Sequence, residues 1–433
     1  MSMNKPDSLY YLVNINSRRK YANKIRDFFT TENNNIKTFI KKNYKNDIVL
    51  LYTLKKKINS FINGHLGEVG GSVDAEAYYI NIKKNNNEYK AALKVIPLTY
   101  QESNNIKNIK YKSWKELHLL TCCYNIVQNY NTQNLPVIIL YFICKNCIKD
   151  DYMNPNIKKY YNNLTIRKKL KSSNDSSDKI IYKRMEKRKG FGTSSLCIVN
   201  ELCDNSIKGI ISSTDEIEKI TQEYFISFIF QIINGIYALT KIYKIIHFDC
   251  HGGNILISKI LSGGYWSYMV NNTLYYIPNY GYILKIWDFG RSLIIDKDPY
   301  SKIYESIISQ AKRFYKTAFE NDKDLEDKIY KYLNKDNIQI ICYAFDIWRI
   351  ISYIYSKLKK EQYLDYKFHE IIKLLNRIKK KCEDNWIVPM IMQEPIYNDI
   401  TKFTSFILNK YFKIYTKIPS KDSIIINKKH YEL

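Results

Sequence analysis

The segment Ile245–Ile257, IIHFDCHGGNILI, constrains this chain more than any other stretch. A long helical pattern precedes it and an apolar strand, Ile255–Ile257, follows it. Its polar residues, His247, Asp249, His251 and Asn254, therefore fall in a loop between two apolar elements, with Gly252-Gly253 inside the turn. A second apolar run, Ile283–Ile286, also ends in an acid, Asp288, within ILKIWDFG. Earlier, Ala91–Val95 carries Lys94 inside an apolar strand.

The remaining pattern is that of an α+β protein. Strands are expected at Phe61–Leu66, Ala75–Ile82, Tyr89–Val95, Val137–Ile143 and Leu196–Leu202, with a turn at Asn85–Asn87. Ser113–Gln128 has helical spacing, and Ser113 with Glu116 three residues on matches a capping box. Residues 214–243 read as one long helical region with apolar positions from Phe225 to Leu239, and residues from about 300 to 433 read as mostly helical. The spacing predicts a basic, helical N-terminal extension over 1–57 and a small strand-rich lobe over 58–200. A mainly helical lobe follows over 201–433, with a cleft between the two lobes. The first lobe carries a polar insertion at 145–190, and the second a hairpin insertion near 258–282.

Composition narrows the class. With 45% apolar residues and 25% charged residues, a wholly disordered chain is excluded. Uninterrupted apolar runs such as Val137–Cys144 fall short of the roughly 18–20 residues that cross a bilayer, so no membrane span is expected. Met1–Tyr10 has no apolar signal core, and nine scattered cysteines suit reduced thiols, so a cytoplasmic location is expected. The net charge of +26 predicts attraction to nucleic acid, acidic protein or nucleotide phosphates. The heavy use of Lys, Asn, Ile and Tyr also fits an A/T-rich coding sequence, and both readings of the charge stay open.

Two carboxylates and an amide at strand ends can hold a hard cation through oxygen, with substrate phosphates completing its shell. A lysine on an apolar strand needs an anionic partner, which a carboxylate on a facing helix can supply. The glycines Gly67, Gly70 and Gly71 would let backbone amides approach phosphate. This is the equipment of phosphoryl transfer, in which one carboxylate accepts the proton of the acceptor hydroxyl.

In that order of parts the sequence resembles the protein kinase superfamily over about residues 60–360. More narrowly, it is similar to the divergent serine/threonine kinases of large cytoplasmic DNA viruses, through Tyr276–Gly281 ahead of Ile286–Ser292. The resemblance implies a bilobal kinase-like fold: a small antiparallel-sheet N-lobe with one key helix, and a mainly helical C-lobe. It implies ATP and Mg2+ or Mn2+ as cofactors and protein hydroxyls as acceptors, in host cytoplasm or the virion. Lys94 would contact the α- and β-phosphates with Glu116 as its ion-pair partner, and Glu102 is the rival for that partnership. Asp249 would be the catalytic base, Asn254 and Asp288 the metal ligands, and Glu201–Cys203 the hinge whose backbone meets adenine. Asp346-Ile347-Trp348 resembles the start of the helix that supports the catalytic loop.

The sequence departs from the family pattern at several points. Phe248 stands where most kinases carry the arginine that binds an activation-loop phosphate. His251 replaces the usual lysine near the γ-phosphate and could offer a proton-dependent charge or a hydrogen bond. The glycine cluster does not fit G-x-G-x-x-G, and no Ala-Pro-Glu follows Gly290. Two other readings compete. One is a small-molecule phosphotransferase on the same fold, which a metabolite screen would reveal. The other is a basic pseudokinase or nucleic-acid scaffold, marked by salt-sensitive DNA binding. Cys144-x-x-Cys147 lacks a second clean ligand pair, so zinc is not expected.

Overall fold

The computed structural model describes residues 12–31, 50–52, 62–65, 75–84, 87–145, 172, 191–392, 397, 399–420, 423–427 and 429–433. Gly67, Gly70, Gly71, Cys147 and nearly all of the 145–190 insertion lie outside the described residues. So do the basic runs Arg167–Lys169 and Lys183–Lys189. Contacts divide the chain into two units. A sheet unit comprises Arg19–His118 and Val137–Leu202. A mainly helical unit comprises Met1–Arg18, Leu119–Pro136 and Cys203–Leu433. The architecture is mixed α+β.

The sheet unit is built on six strands, β1 (Leu50–Tyr52), β2 (Ile62–His65), β3 (Glu76–Lys84), β4 (Asn87–Thr99), β5 (Ile138–Lys145) and β6 (Phe191–Glu201). Their order is β1-β5-β6-β4-β3-β2. All pairs are antiparallel except β1 with β5, so the expected antiparallel sheet carries one parallel edge. Alternation along β4 buries Ala91, Leu93 and Val95 and turns Lys94 to the other face. Helix α1 (Ile15–Thr31) enters this unit at Arg19, and its Tyr21 hydroxyl lies 3.0 Å from the Lys90 carbonyl oxygen.

After β4 the chain makes the short helix α2 (Tyr100–Asn104) and then α3 (Lys112–Gln128). The capping box expected at Ser113 and Glu116 is found one element earlier. Thr99 caps α2, and the Glu102 carboxylate returns to the Thr99 amide at 2.9 Å. Glu102 also accepts from the Ser113 amide at 3.2 Å, so one buried carboxylate serves the starts of two helices. Ser113 itself lies inside α3, not at its cap.

The helical unit is organised around α4 (Gln222–Tyr243), whose residues from Phe225 to Thr240 are nearly all buried. The single helix expected over 214–243 is broken: Thr214–Glu218 is a separate short helix capped by Ser213, and α4 begins only at Gln222. By length and composition α4 is long and apolar enough to cross a membrane, although polar residues interrupt its apolar run. Its most apolar window is 83% buried in protein, as in a core helix. Lys244 ends it in the left-handed region at φ 52°, its amide bonded to the Leu239 and Thr240 carbonyls.

Around α4 pack α6 (Ile338–Lys360), α7 (His369–Met392) and α8 (Ile400–Tyr411), with α5 (Tyr300–Phe314) preceding them. Asp346 lies inside α6, two turns past its start at Ile338, rather than opening the helix. Five small strand pairings are described in this unit. β7 (Asn205–Ser206) and β12 (Tyr282–Ile286) flank β9 (Ile255–Lys259), and β8 (Ile245–Ile246) pairs with β13 (Leu293–Ile294). Between β9 and β12 stands the hairpin β10 (Tyr265–Val270) and β11 (Thr273–Pro278). The C-terminal strand β14 (Tyr431–Glu432) joins β10 in parallel, a strand inside the region expected to be helical.

A buried polar network fixes this hairpin to both chain ends. The Arg18 guanidinium donates to the carbonyls of Gln133 and Leu135 at 2.6 and 2.7 Å. The Tyr431 hydroxyl donates to Gln133 Oε1 at 3.0 Å, and Gln133 Nε2 donates to Tyr268. Each buried polar group here has a partner, the condition for such a network to stabilise rather than destabilise a core.

Candidate active site

Lys94 and Glu116 meet within the sheet unit. The Lys94 ammonium contacts Glu116 Oε1, with the two side chains 13% and 8% exposed. In a nearly buried pair of this kind, removing either partner leaves the other as an uncompensated buried charge. Glu102, the rival carboxylate, is committed to helix capping and makes no such contact. Glu201, at the end of β6, spends its carboxylate on the Val137 amide at 2.8 Å. Cys203, half-buried, follows where the chain enters the helical unit.

The helical unit gathers Asp249, His251, Asn254 and Asp288. The loop between β8 and β9 is held from below by α6. The Asp346 carboxylate accepts the backbone N–H of His247 at 2.6 Å and of Phe248 at 2.8 Å, one oxygen to each. Phe248 sits at φ 58°, a left-handed conformation that costs a non-glycine residue on the order of 1–2 kcal/mol. The double clamp on its own and its neighbour's amide holds it there. Burial pushes the Asp346 carboxyl up to about 7, against the opposite pull of the two amide donors.

His247 ties the two functional loops together. Its Nε2 lies 2.8 Å from the Trp287 carbonyl, and the Asp249 amide lies 3.3 Å from its Nδ1. The ring is therefore neutral with its proton on Nε2, and burial lowers its pKa in agreement. Asn254 Nδ2 donates to the Asp249 carbonyl at 3.0 Å, and the Trp287 amide donates to the Asn254 carbonyl at 2.8 Å. Asp288 adopts φ 62° and accepts from the Gly290 amide at 3.4 Å. Asp249 through its own backbone, and Asp288 through that of its neighbour Trp287, are thus joined by one continuous set of bonds.

His251 Nδ1 accepts from the Gly253 amide at 3.1 Å, and its Nε2 stands 3.9 Å from Asp249 Oδ1. Burial lowers its pKa against the pull of Asp249. The imidazole is neutral near pH 7 and offers a hydrogen bond rather than a charge. Arg291 Nε is 3.7 Å from the other Asp249 oxygen. Sequence reasoning did not single out Arg291 as a site residue; its one signal was its position directly after Asp-Phe-Gly.

Asn254 and Asp288 offer oxygen donors only, with the Asn254 amide group turned by its bond to Asp249. Two oxygen ligands suit magnesium, which keeps several waters and takes its remaining oxygens from substrate phosphates. Among the described residues no group of three or more His, Cys, Asp or Glu side chains forms a closed metal cage.

No family model matches the chain. Over 231 residues, 43% of the chain, it is 24% identical to an uncharacterized protein of Acanthamoeba polyphaga mimivirus. Over 62 residues, 14% of the chain, it is 37% identical to the "Putative serine/threonine-protein kinase" of Frog virus 3. The matched stretches span 30% and 7% of those two viral proteins, so the chain matches under a third of either relative's length.

Proposed function

We propose that this chain is a viral serine/threonine protein kinase of bilobal kinase fold that transfers the γ-phosphoryl group of ATP to protein hydroxyls. The observation that carries the reading is the Asp346 clamp on His247 and Phe248, with Asn254 and Trp287 bonded to the same loop. A loop held this tightly, two of its residues against a buried carboxylate, suits a carboxylate that must be positioned rather than merely present. The short likeness to the frog virus protein supports the same reaction class.

In this reading Asp249 orients the acceptor hydroxyl and takes its proton, while Arg291 and the neutral His251 border its two oxygens. Asn254 and Asp288 would hold Mg2+, and Lys94, held by Glu116, would hold the triphosphate. Bound Mg-ATP supplies the phosphoryl group and neutralises charge developing on it. Lys94, Asp249, Asn254 and Asp288 are all present, which disfavours a pseudokinase.

The test is labelled-ATP transfer by the purified full chain to acidic and basic model proteins, beside a panel of small alcohols. Asp249→Asn should lower transfer by about a hundredfold or more. Full activity in Asp249→Asn or Lys94→Met overturns the residue roles. Label found only on small alcohols overturns the protein substrate.

A further inference from the structure

Arg291 borders Asp249, Arg349 feels the charges of Asp249 and Arg291, and Arg313 shares an aromatic ring with Arg349. Arg291, 62% exposed, reaches Asp249 from the Asp288–Gly290 turn. Arg313 ends α5 and Arg349 lies in the middle of α6, yet both flank one ring. Their guanidinium carbons stand 5.4 and 4.7 Å from the centroid of Phe314. Such stacking fixes the planes of two flexible cations and leaves their N–H edges available. Among the described residues, neither Arg313 nor Arg349 has a carboxylate within ion-pair distance, and Arg291 has only Asp249. Burial and the nearby Arg313 both depress the Arg349 pKa, with Asp249 opposing them.

Phe248 sharpens the point. Its side chain is 2% exposed and packs 6.1 Å from the Phe345 ring, so the catalytic loop itself supplies no cation at that position. The positive charge instead comes from α6, whose Arg349 interacts with Asp249, Cys250 and His251 of that loop, and from Arg313 of α5 on the same Phe314 ring. Guanidinium groups held apart without counter-charge gain most from an oxyanion that bridges them.

We infer that Arg291, Arg313 and Arg349 form an anion subsite that selects acceptor peptides carrying a carboxylate or phosphate close in sequence to the reacting hydroxyl. The inference rests on Asp249 being the acceptor-binding carboxylate. Phosphate and carboxylate share the oxyanion chemistry, and the assay separates them.

Fluorescence anisotropy would measure binding of labelled peptides to the full chain. The peptides carry one serine flanked by glutamine, glutamate, phosphoserine or lysine. The glutamate or phosphoserine peptide should bind about tenfold tighter than the glutamine peptide, the equivalent of one charged hydrogen bond. Arg313→Gln and Arg349→Gln should each reduce that ratio several-fold, and Arg349→Lys, which keeps the charge, should restore part of it. Circular dichroism would confirm that each variant is folded. Equal binding of the glutamine and glutamate peptides by the native chain, or an unchanged ratio in both glutamine variants, overturns the subsite. Because binding is read without ATP, an acidic preference with no phosphoryl transfer would refute the kinase reading and overturn the acceptor role of the cluster, whereas transfer without an acidic preference would overturn the subsite alone.

Discussion

Replacing Asp346 by asparagine tests how the catalytic loop is held. The carboxylate now accepts two backbone N–H groups, one per oxygen, at 2.6 and 2.8 Å. Asparagine has one acceptor oxygen and turns an N–H2 donor toward the second amide. One buried N–H is then left without a partner, a loss of about 1–3 kcal/mol. The size of that loss should depend on pH. Burial raises the Asp346 pKa from 3.8 to about 7, so the folded protein binds a proton that the unfolded chain has already released. Asp346 therefore contributes its full stability below about pH 4, and that contribution declines as pH rises toward and past 7. Between pH 5 and pH 8 the decline is about 2–3 kcal/mol, at 1.36 kcal/mol per pKa unit. The Asp346→Asn variant lacks this titration. Its deficit against the native chain should be largest near pH 5 and shrink toward pH 8. Urea unfolding followed by tryptophan fluorescence would read it, because Trp348 and Trp386 lie in the same aromatic cluster. A deficit that stays constant between pH 5 and pH 8 would mean the carboxylate is ionised across that range and would refute the argument.

Lys94→Met should abolish the thermal shift produced by ATP, whereas Asp249→Asn should keep that shift and lose phosphoryl transfer; differential scanning fluorimetry beside labelled transfer separates the two. Arg18→Ala removes the donor to two buried carbonyls and should destabilise the helical unit by about 2–4 kcal/mol in urea titration, with Arg18→Lys recovering part of the loss. Glu102→Ala removes the acceptor shared by the Thr99 and Ser113 amides and should speed hydrogen exchange at both, with little change at Lys94.

The sequence made the α+β class visible because burial in β4, β5, β6 and α4 imposes its own periodicity. It also made the polar loop at His247–Asn254 visible, since few loops combine such residues between two apolar elements. Other features depend on partners distant in the chain. The β1–β5 pair is parallel, which no local pattern records. Ser113 and Glu116 have the spacing of a cap, but the cap went to Thr99 and Glu102, and Glu116 turned to Lys94. The separate short helix at Thr214–Glu218 and the strand near the C-terminus were hidden by continuous helical apolarity or by brevity. Arg313 and Arg349 read as ordinary helix residues until Phe314 brought them together.

The meeting of residues 13–18 with residues 425–433 across β10 bears on the order of folding. The Trp266 indole donates to the Val13 carbonyl, and the Asn14 amide group reaches the Ile426 carbonyl, 412 positions away. Contacts of that separation close large loops and form late. On a ribosome the strands of the sheet unit have all been made once Leu202 emerges. The helical unit must wait for Tyr431 to fill its place beside Tyr268. Until then β10 presents an open edge, where a nascent chain is vulnerable to pairing with a neighbour. Arrival of Tyr431 and its neighbours thus closes a seam that Val13 and Asn14 had left open.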